Sequence, residues 1–242
     1  MKKKLTNSLL VSVTVLGTST QVLAMDYDSA TDARSNSEVK LLVEEITIEP
    51  PGPVDPTDPP IEGPEDPGKP NPYPGQFKIN YVSDFKFGEW IYTGHELQVN
   101  AQKDQNFRDS VTQETLELPP FVSIKDDRDT HFANETAPGT WTLQAEIKDH
   151  FASGDVALEG EKVTLKIYEY EDLKAKNPDA TINQSIEIGA DVDAATVIEA
   201  KNMKGSTSIG FDPATLTIPA KQTNIVEGTY STEILWTLSN AI

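Results

Sequence analysis

The fold is decided by the run Thr229-Tyr-Ser-Thr-Glu-Ile-Leu-Trp-Thr-Leu-Ser-Asn-Ala-Ile242, because its triplet Trp236-Thr237-Leu238 repeats an earlier one, Trp141-Thr142-Leu143. The sequence contains three tryptophans, and two of them lie in these identical triplets, 95 residues apart. Around each triplet apolar and polar residues alternate. A period of two is typical of a β-strand, so each tryptophan is predicted to point the same way as the leucine of its triplet.

Beyond residue 76 the sequence consists of short apolar or β-branched runs separated by turn-forming residues. This pattern predicts an all-β fold, either a β-sandwich or a barrel-like domain. The predicted strands are 77–82, 96–101, 121–125, 140–147, 163–168, 182–188, 195–200, 216–218 and 234–238, and the predicted turns are 152–155, 176–179, 204–206 and 211–213. The repeated triplet leaves open an alternative with two related Ig-like units, near residues 76–170 and 176–242.

The first 24 residues have the composition of a secretory signal peptide. Lysines at positions 2–4 precede an apolar run at 9–17, and Val22 and Ala24 are compact residues at the −3 and −1 positions of a cleavage site. The apolar run is much shorter than the ~20 residues that span a membrane as a helix. We therefore expect cleavage after Ala24, export from the cell and no membrane span in the mature protein.

Two further segments precede the β-domain that we predict for residues 76–242. Residues 25–49 form an N-terminal segment whose apolar part, 37–48, is predicted as a short strand. Its apolar side chains are candidates for binding a partner protein by strand addition to a sheet edge: Leu41, Val43, Ile46 and Ile48. Residues 50–75 contain eleven of the 17 prolines, separated by acidic residues, and are predicted to form a disordered, extended stalk.

The strongly acidic charge restricts the kinds of partner that the protein can bind. The formal net charge is −19, and such a field repels nucleic acids, anionic lipids and the phosphates of teichoic acids. Cysteine is absent, so neither disulfides nor thiolate metal sites are expected. The sequence also lacks a Leu-Pro-x-Thr-Gly sorting signal, from which we expect that any retention at the cell surface is non-covalent.

No catalytic or metal-binding pattern is recognisable in the sequence. The three histidines, His95, His131 and His150, do not form a metal-spaced pair, and no nucleophile elbow, phosphate loop or dinucleotide fingerprint is present. We therefore expect a non-catalytic protein without cofactor or metal.

The charged cluster Asp126-Asp127-Arg128 follows a predicted strand and offers carboxylate oxygens that could bind calcium. A solvated turn with an internal ion pair is favoured instead, because Arg128 neutralises one carboxylate and the cluster lacks the glycine and glutamate of a calcium loop. Its position before the first triplet makes it a candidate rim of a binding surface.

Four stretches of the sequence resemble motifs of the WxL domain family, whose members are cell-surface proteins of Gram-positive bacteria. The family's opening stretch is similar to Phe77-Lys-Ile-Asn-Tyr-Val-Ser-Asp-Phe-Lys-Phe-Gly88. Its proximal motif is similar to Phe121-Val-Ser-Ile-Lys-Asp-Asp-Arg128 followed by Gly139-Thr-Trp-Thr-Leu143, and its distal motif is similar to residues 230–238. The resemblance implies non-covalent attachment to cell-wall peptidoglycan, a location at the cell surface and no enzyme activity.

The residues that the resemblance marks as peptidoglycan-binding or fold-defining are Trp141, Thr142, Leu143, Tyr230, Trp236, Thr237 and Leu238. Two interpretations are open at this point. In one, the tryptophans and leucines are core residues, since a buried tryptophan removes ~150–250 Å² from water, and the ligand binds elsewhere. In the other, the rings are exposed and stack on sugar faces. The resemblance also leaves an alternative function, an adhesive or scaffolding subunit that binds a membrane-anchored companion protein and host extracellular matrix.

Overall fold

The structure, a computed structural model, describes residues 26–27, 29–42, 61–62, 76–109, 114–128 and 139–240. These residues form strands and a single short helix, α1 (Tyr170–Lys176). The strands are β1 (Asp26–Tyr27), β2 (Asp32–Leu42), β3 (Ile61–Glu62), β4 (Phe77–Val82), β5 (Phe85–Ile91), β6 (Leu97–Asn100), β7 (Asp104–Asp109), β8 (Thr115–Leu118), β9 (Phe121–Asp126), β10 (Trp141–Ile147), β11 (Ala152–Ser153), β12 (Val156–Ala157), β13 (Lys162–Ile167), β14 (Thr181–Ile182), β15 (Ser185–Ile188), β16 (Ala195–Ala200), β17 (Gly205–Ile218) and β18 (Gly228–Asn240). The predicted all-β class is therefore confirmed.

Two large sheets contain most of these strands. The first sheet has the order β1-β2-β18-β10-β16-β14, with β5 added to β2 and the hairpin β11–β12 added to β18. The second sheet has the order β15-β13-β17-β9-β4, with β6 paired to β17, and a small third sheet contains β3, β7 and β8. Among the described strands, only β2 and β5 run parallel to each other.

The two large sheets share one apolar core. Trp236 of β18 stacks on Phe211 of β17 in the opposite sheet, with 5.4 Å between the ring centroids, and Phe85 of β5 lies 6.0 Å from Phe211. Alternation along each strand directs one face to this core, as in β10, where four side chains are buried: Trp141, Leu143, Ala145 and Ile147. The arrangement corresponds to the predicted sandwich or barrel-like class.

Strand β2 belongs to the folded body, although the sequence analysis set residues 25–49 apart from the β-domain. It lies between β18 and β5, and its pairing with β18 runs from Asp32 opposite Thr237 to Leu41 opposite Gly228. Its buried positions carry small or polar side chains: Ala33, Ser35, Ser37 and Val39. Hydrophobic alternation is therefore weak in this strand, which is the reason that the sequence pattern placed the strand later.

Strand β17 runs without interruption through the predicted turn at 211–213. Its first half pairs with β9, and its second half pairs with β13 and β6. The pairing register with β13 shifts between Phe211 and Ala214, so Pro213 lies at a bulge in the strand and not in a turn. The turn predicted at this place is wrong, because a proline at a bulge does not end a strand.

Helix α1 is a further difference from the sequence prediction, which contains no helix. It has seven residues, none of which is buried, and acidic and basic residues lie in its first and last turns respectively. A helix this short with no buried face produces no hydrophobic period that a sequence could reveal.

Strands from both halves of the chain are interleaved in each large sheet. In the first sheet β10 lies beside β18, and in the second sheet β9 lies beside β17. The strands of the two large sheets therefore form one body, in which the two triplets lie in the same sheet.

Several predicted segments lie outside the described residues, including the expected signal peptide at 1–24 and the candidates Val43, Ile46 and Ile48. Of the predicted stalk at 50–75, the structure describes Ile61–Glu62, which form β3 and pair with β7. No helix in the described part of the chain is long and apolar enough to cross a membrane.

Candidate functional site

The two Trp-Thr-Leu triplets are direct neighbours in the first sheet. Strand β10 is antiparallel to β18, and the pairing places Leu143 opposite Leu238, Trp141 opposite Asn240, and Ala145 opposite Trp236. A local two-fold axis through the Leu143–Leu238 pair therefore relates the two triplets. Because the strands are antiparallel, the tryptophans lie on either side of the leucine pair and not on top of each other.

The tryptophans and leucines of both triplets point into the core. Each is at most 3 % exposed, while Thr142 and Thr237 point to the other face and are half-buried. In this structure neither indole ring presents a face to solvent. The burial favours the first of the two interpretations above, in which the triplets hold the sheets together.

Each buried indole N–H has a hydrogen-bond acceptor. The Trp236 N–H donates to Oγ of Ser35 in β2 at 3.0 Å, and the Trp141 N–H donates to the backbone carbonyl of Met203 at 3.2 Å. These bonds fix the two rings in orientation as well as in depth, because a buried N–H without an acceptor is costly. The second triplet is thereby tied to β2 of the same sheet.

Tyr230, the other aromatic residue of the distal motif, is completely buried at the start of β18. Its hydroxyl accepts the backbone N–H of Val226 at 2.9 Å and donates to the carbonyl of the same residue at 3.0 Å. The side chain therefore closes the turn that leads into β18, and its phenol is not available to a ligand in this arrangement.

Asp126 and Arg128 of the candidate rim form a buried ion pair. The Arg128 side chain is 8 % exposed, and its Nε and Nη2 donate to the two carboxylate oxygens of Asp126 at 2.7 Å each. Nη1 donates to the side-chain oxygen of Asn240, and the guanidinium carbon lies 4.0 Å from the centre of the Phe77 ring. The pair is a fork-to-fork contact that joins the ends of β9 and β18 to β4.

The same carboxylate also holds the entry to the first triplet. Gly139, two residues before Trp141, donates its N–H to Oδ2 of Asp126 at 2.7 Å. Burial raises the pKa of Asp126, but the hydrogen bonds from Arg128 and Gly139 outweigh it, so the pKa lies below its ordinary value. Gly139 has a φ of +81°, and a Cβ there would lie 2.6 Å from the backbone nitrogen of Met203. Only glycine fits this close approach.

The remaining member of the cluster, Asp127, is exposed and lies 2.7 Å from Nζ of Lys125. The cluster is therefore one buried pair and one surface pair, not a wholly solvated turn. Within the described ranges no group of three histidine, aspartate or glutamate side chains could hold a metal ion.

Leu41 is the one partner-binding candidate that the structure describes. Its backbone lies between Gly228 of β18 and Trp90 of β5, so both of its edges are paired. Strand addition to another protein through Leu41 would require one of these pairings to open.

One buried polar cluster had no signal in the sequence. Glu161 is buried, accepts the backbone N–H of Phe151 at 2.9 Å and lies 3.1 Å from Nδ1 of His150. Nε2 of the same histidine lies 3.9 Å from the carboxylate of Asp191. The three side chains join the connections that follow β10 and β15 to the start of β13, and residues this far apart in the chain form no recognisable motif.

Comparison with known proteins identifies the family. The chain matches the model of the WxL family, described as WxL domain surface cell wall-binding, over residues 28–241. No curated protein and no solved structure matches the chain. The matched range coincides with the folded body, from the residues before β2 to the end of β18. This chain, with its two paired triplets, belongs to the WxL domain family of surface cell wall-binding proteins.

Proposed function

We propose that the protein is exported and attached non-covalently to the peptidoglycan of a Gram-positive cell wall, without catalysing a reaction. The observation that carries the proposal is the match to a cell wall-binding surface family over residues 28–241, the range that folds as one body. In this proposal the sandwich as a whole, including β2, presents the surface that binds the wall.

The triplets support binding indirectly in this proposal. Because their tryptophans and leucines are buried, they define the sandwich, and the ligand contacts the outer surface that the sandwich presents. Loss of a triplet side chain would then reduce wall binding and stability together. Loss of a ligand contact would reduce wall binding alone.

The charge of the protein determines which wall polymer it can bind. With a net charge of −19, long-range attraction to the phosphates of teichoic acids is excluded by sign. The glycan strands of peptidoglycan carry hydroxyl and acetamide groups, which form hydrogen bonds, and sugar rings, which stack on aromatic side chains. We therefore expect wall binding to depend little on ionic strength, because such contacts are not screened by salt.

Sedimentation with purified sacculi tests the proposal. The protein, expressed from residue 25 onwards, should sediment with sacculi whether or not teichoic acid has been removed, and it should release no soluble fragments from them. A Trp236→Ala variant serves as the comparison and should lose binding and thermal stability in parallel. Sedimentation that disappears with the teichoic acid would contradict the choice of ligand, and release of soluble fragments would contradict the absence of catalysis.

A further inference from the structure

Three large hydrophobic side chains are exposed among the described residues: Trp90 (44 %), Ile91 (41 %) and Val226 (43 %). The pairing of the first sheet brings them to the same end of that sheet. Trp90 is opposite Leu41, which is opposite Gly228, and Val226 precedes Gly228 by two residues. Exposed apolar residues gathered in one place mark a binding surface more often than scattered ones do.

Trp90 differs from the other two tryptophans, which are buried. It lies near the end of β5, and its indole N–H donates to the backbone carbonyl of Phe87 in the same strand. The ring is thus held by its polar edge, while a large part of its surface is in contact with solvent. An aromatic ring that is already oriented loses little conformational entropy when a ligand stacks on it.

A neutral hydrogen-bonding group lies beside this ring. A Cβ built on Gly88 would lie 3.4 Å from Nε1 of Trp90 and 3.1 Å from the amide nitrogen of Gln102, so both groups border the same point of β5. Gln102 is exposed, and its backbone N–H donates to the backbone carbonyl of Lys86 in β5 at 2.7 Å, which fixes its position beside the strand. Gly88, with a φ of +79°, has no side chain to separate the two groups.

The chemistry of this pair selects a class of ligand. The face of an indole ring attracts the slightly positive C–H groups on the apolar face of a sugar ring. A carboxamide donates and accepts hydrogen bonds, as hydroxyl and acetamide groups do. Neither group carries a charge, so a neutral sugar can approach a protein of net charge −19 where an anionic polymer cannot.

We propose that Trp90 and Gln102 form the contact site for an N-acetylated sugar of the peptidoglycan glycan strand. The proposal rests on the proposed function and gives it a location on β5, away from the two triplets. It also assigns the role of an exposed stacking ring to the one tryptophan that lies outside the repeated motif.

Sedimentation with teichoic acid-free sacculi, combined with thermal melting, tests these residues. Trp90→Ala and Gln102→Ala should each bind sacculi more weakly, by up to about tenfold for the loss of one stacking contact, with unchanged melting temperatures. Trp90→Phe retains a smaller ring and should bind with intermediate affinity. Gln98→Ala, at an exposed glutamine of β6 in the other sheet, is the matched control and should bind like the parent protein.

Acrylamide quenching provides a second readout that does not depend on sacculi. Because Trp141 and Trp236 are buried, quenching of the parent protein reports mainly on Trp90. An oligomer of N-acetylglucosamine should protect this fluorescence from acrylamide, and the protection should be weaker in Gln102→Ala, which keeps the ring.

The possible results separate the two proposals. A Trp90→Ala protein that sediments like the parent, or an oligosaccharide that gives no protection, would overturn the site. A parent protein that fails to sediment while the oligosaccharide protects Trp90 would retain the sugar site and reject peptidoglycan attachment. A parent protein that is a dimer, and becomes a monomer on Trp90→Ala without loss of sacculus binding, would assign the ring to a second copy of the chain and overturn the site.

Discussion

Two buried serines on the core-facing side of β2 have opposite environments. Ser35 accepts the indole N–H of Trp236 at 3.0 Å, which satisfies the polar atom of a completely buried ring. Ser37, two residues further along the same face, has a buried hydroxyl for which no hydrogen-bond partner is present among the described residues. Replacing each serine by alanine therefore compares the loss of a hydrogen-bonded hydroxyl with the loss of an unbonded one.

Ser35→Ala should destabilise the fold by ~1–3 kcal/mol, because it leaves the Trp236 N–H buried without an acceptor. Ser37→Ala should leave the free energy of unfolding unchanged or raise it by up to about 1 kcal/mol, because it removes a desolvated hydroxyl that forms no bond. Urea unfolding of the two variants beside the parent protein measures both effects. Equal destabilisation by the two substitutions would show that the Ser35–Trp236 bond contributes nothing specific.

At the scale of elements, Arg128 connects strands that are distant in sequence. Its guanidinium contacts Asp126 at the end of β9, Asn240 at the end of β18 and the ring of Phe77 in β4. Burial removes water from both charged groups, and the hydrogen bonds between them offset that cost. A single charge left at this place would lack this compensation. The neighbouring pair between Lys125 and Asp127 has a similar length but is exposed.

Arg128→Ala should therefore lower the free energy of unfolding by ~3–5 kcal/mol, since the Asp126 carboxylate would stay buried without its partner. Lys125→Ala removes a pair of equal length at the surface and should change stability by ~0–1 kcal/mol. Thermal or urea unfolding of the two variants measures the difference. Similar melting temperatures for both would mean that the buried pair is no more important than the exposed one.

How well the sequence predicts an element depends on the side chains that the element buries. Strand β10 was predicted because Trp141, Leu143 and Ala145 alternate with polar residues. Strand β2 was placed too late because Ser35 and Ser37 occupy positions that usually carry apolar residues, and β17 was shortened because Pro213 at a bulge resembles a turn. Periodicity detects hydrophobic faces, so strands with small or polar faces are missed.

The candidate site was predictable only in part. Alternation gave the shared direction of each tryptophan and leucine, but a period of two does not say which face is inside. The contact between Gly139 and Asp126 and the position of Gln102 beside Trp90 depend on how distant segments pack, and no spacing in the sequence encodes them.

At the scale of the whole molecule, the first long strand and the last one are neighbours. The pairing of β2 with β18 covers ten residue pairs and joins parts of the chain that are about 200 residues apart. Without β2, the indole N–H of Trp236 loses its acceptor, Ser35, and the backbone edges of β18 and β5 lose their partner. The folded body therefore includes a segment that a boundary at residue 76 would leave out.

A protein that begins at residue 29 should fold, whereas one that begins at residue 43 should not, because only the second truncation removes β2. Far-ultraviolet circular dichroism and a cooperative thermal transition distinguish the two proteins. The longer protein is the control for the loss of the preceding residues. A cooperative transition in the shorter protein near the melting temperature of the longer one would contradict the structural role of β2.

The junction of β2 and β18 also makes the order of the strands along the chain dispensable. The backbone carbonyl of Thr31 accepts the backbone N–H of Leu238 at 2.8 Å, so the two ends of the folded body lie in contact. A short flexible linker could join residue 240 to residue 29, and new ends could be opened at the tip of the β11–β12 hairpin, where Gly154 has open space around it. Every strand from β2 to β18 would keep its neighbours in such a circular permutant, except that β2 would lose the two-residue strand β1, so a rearranged gene that starts at Asp155 should encode the same sandwich.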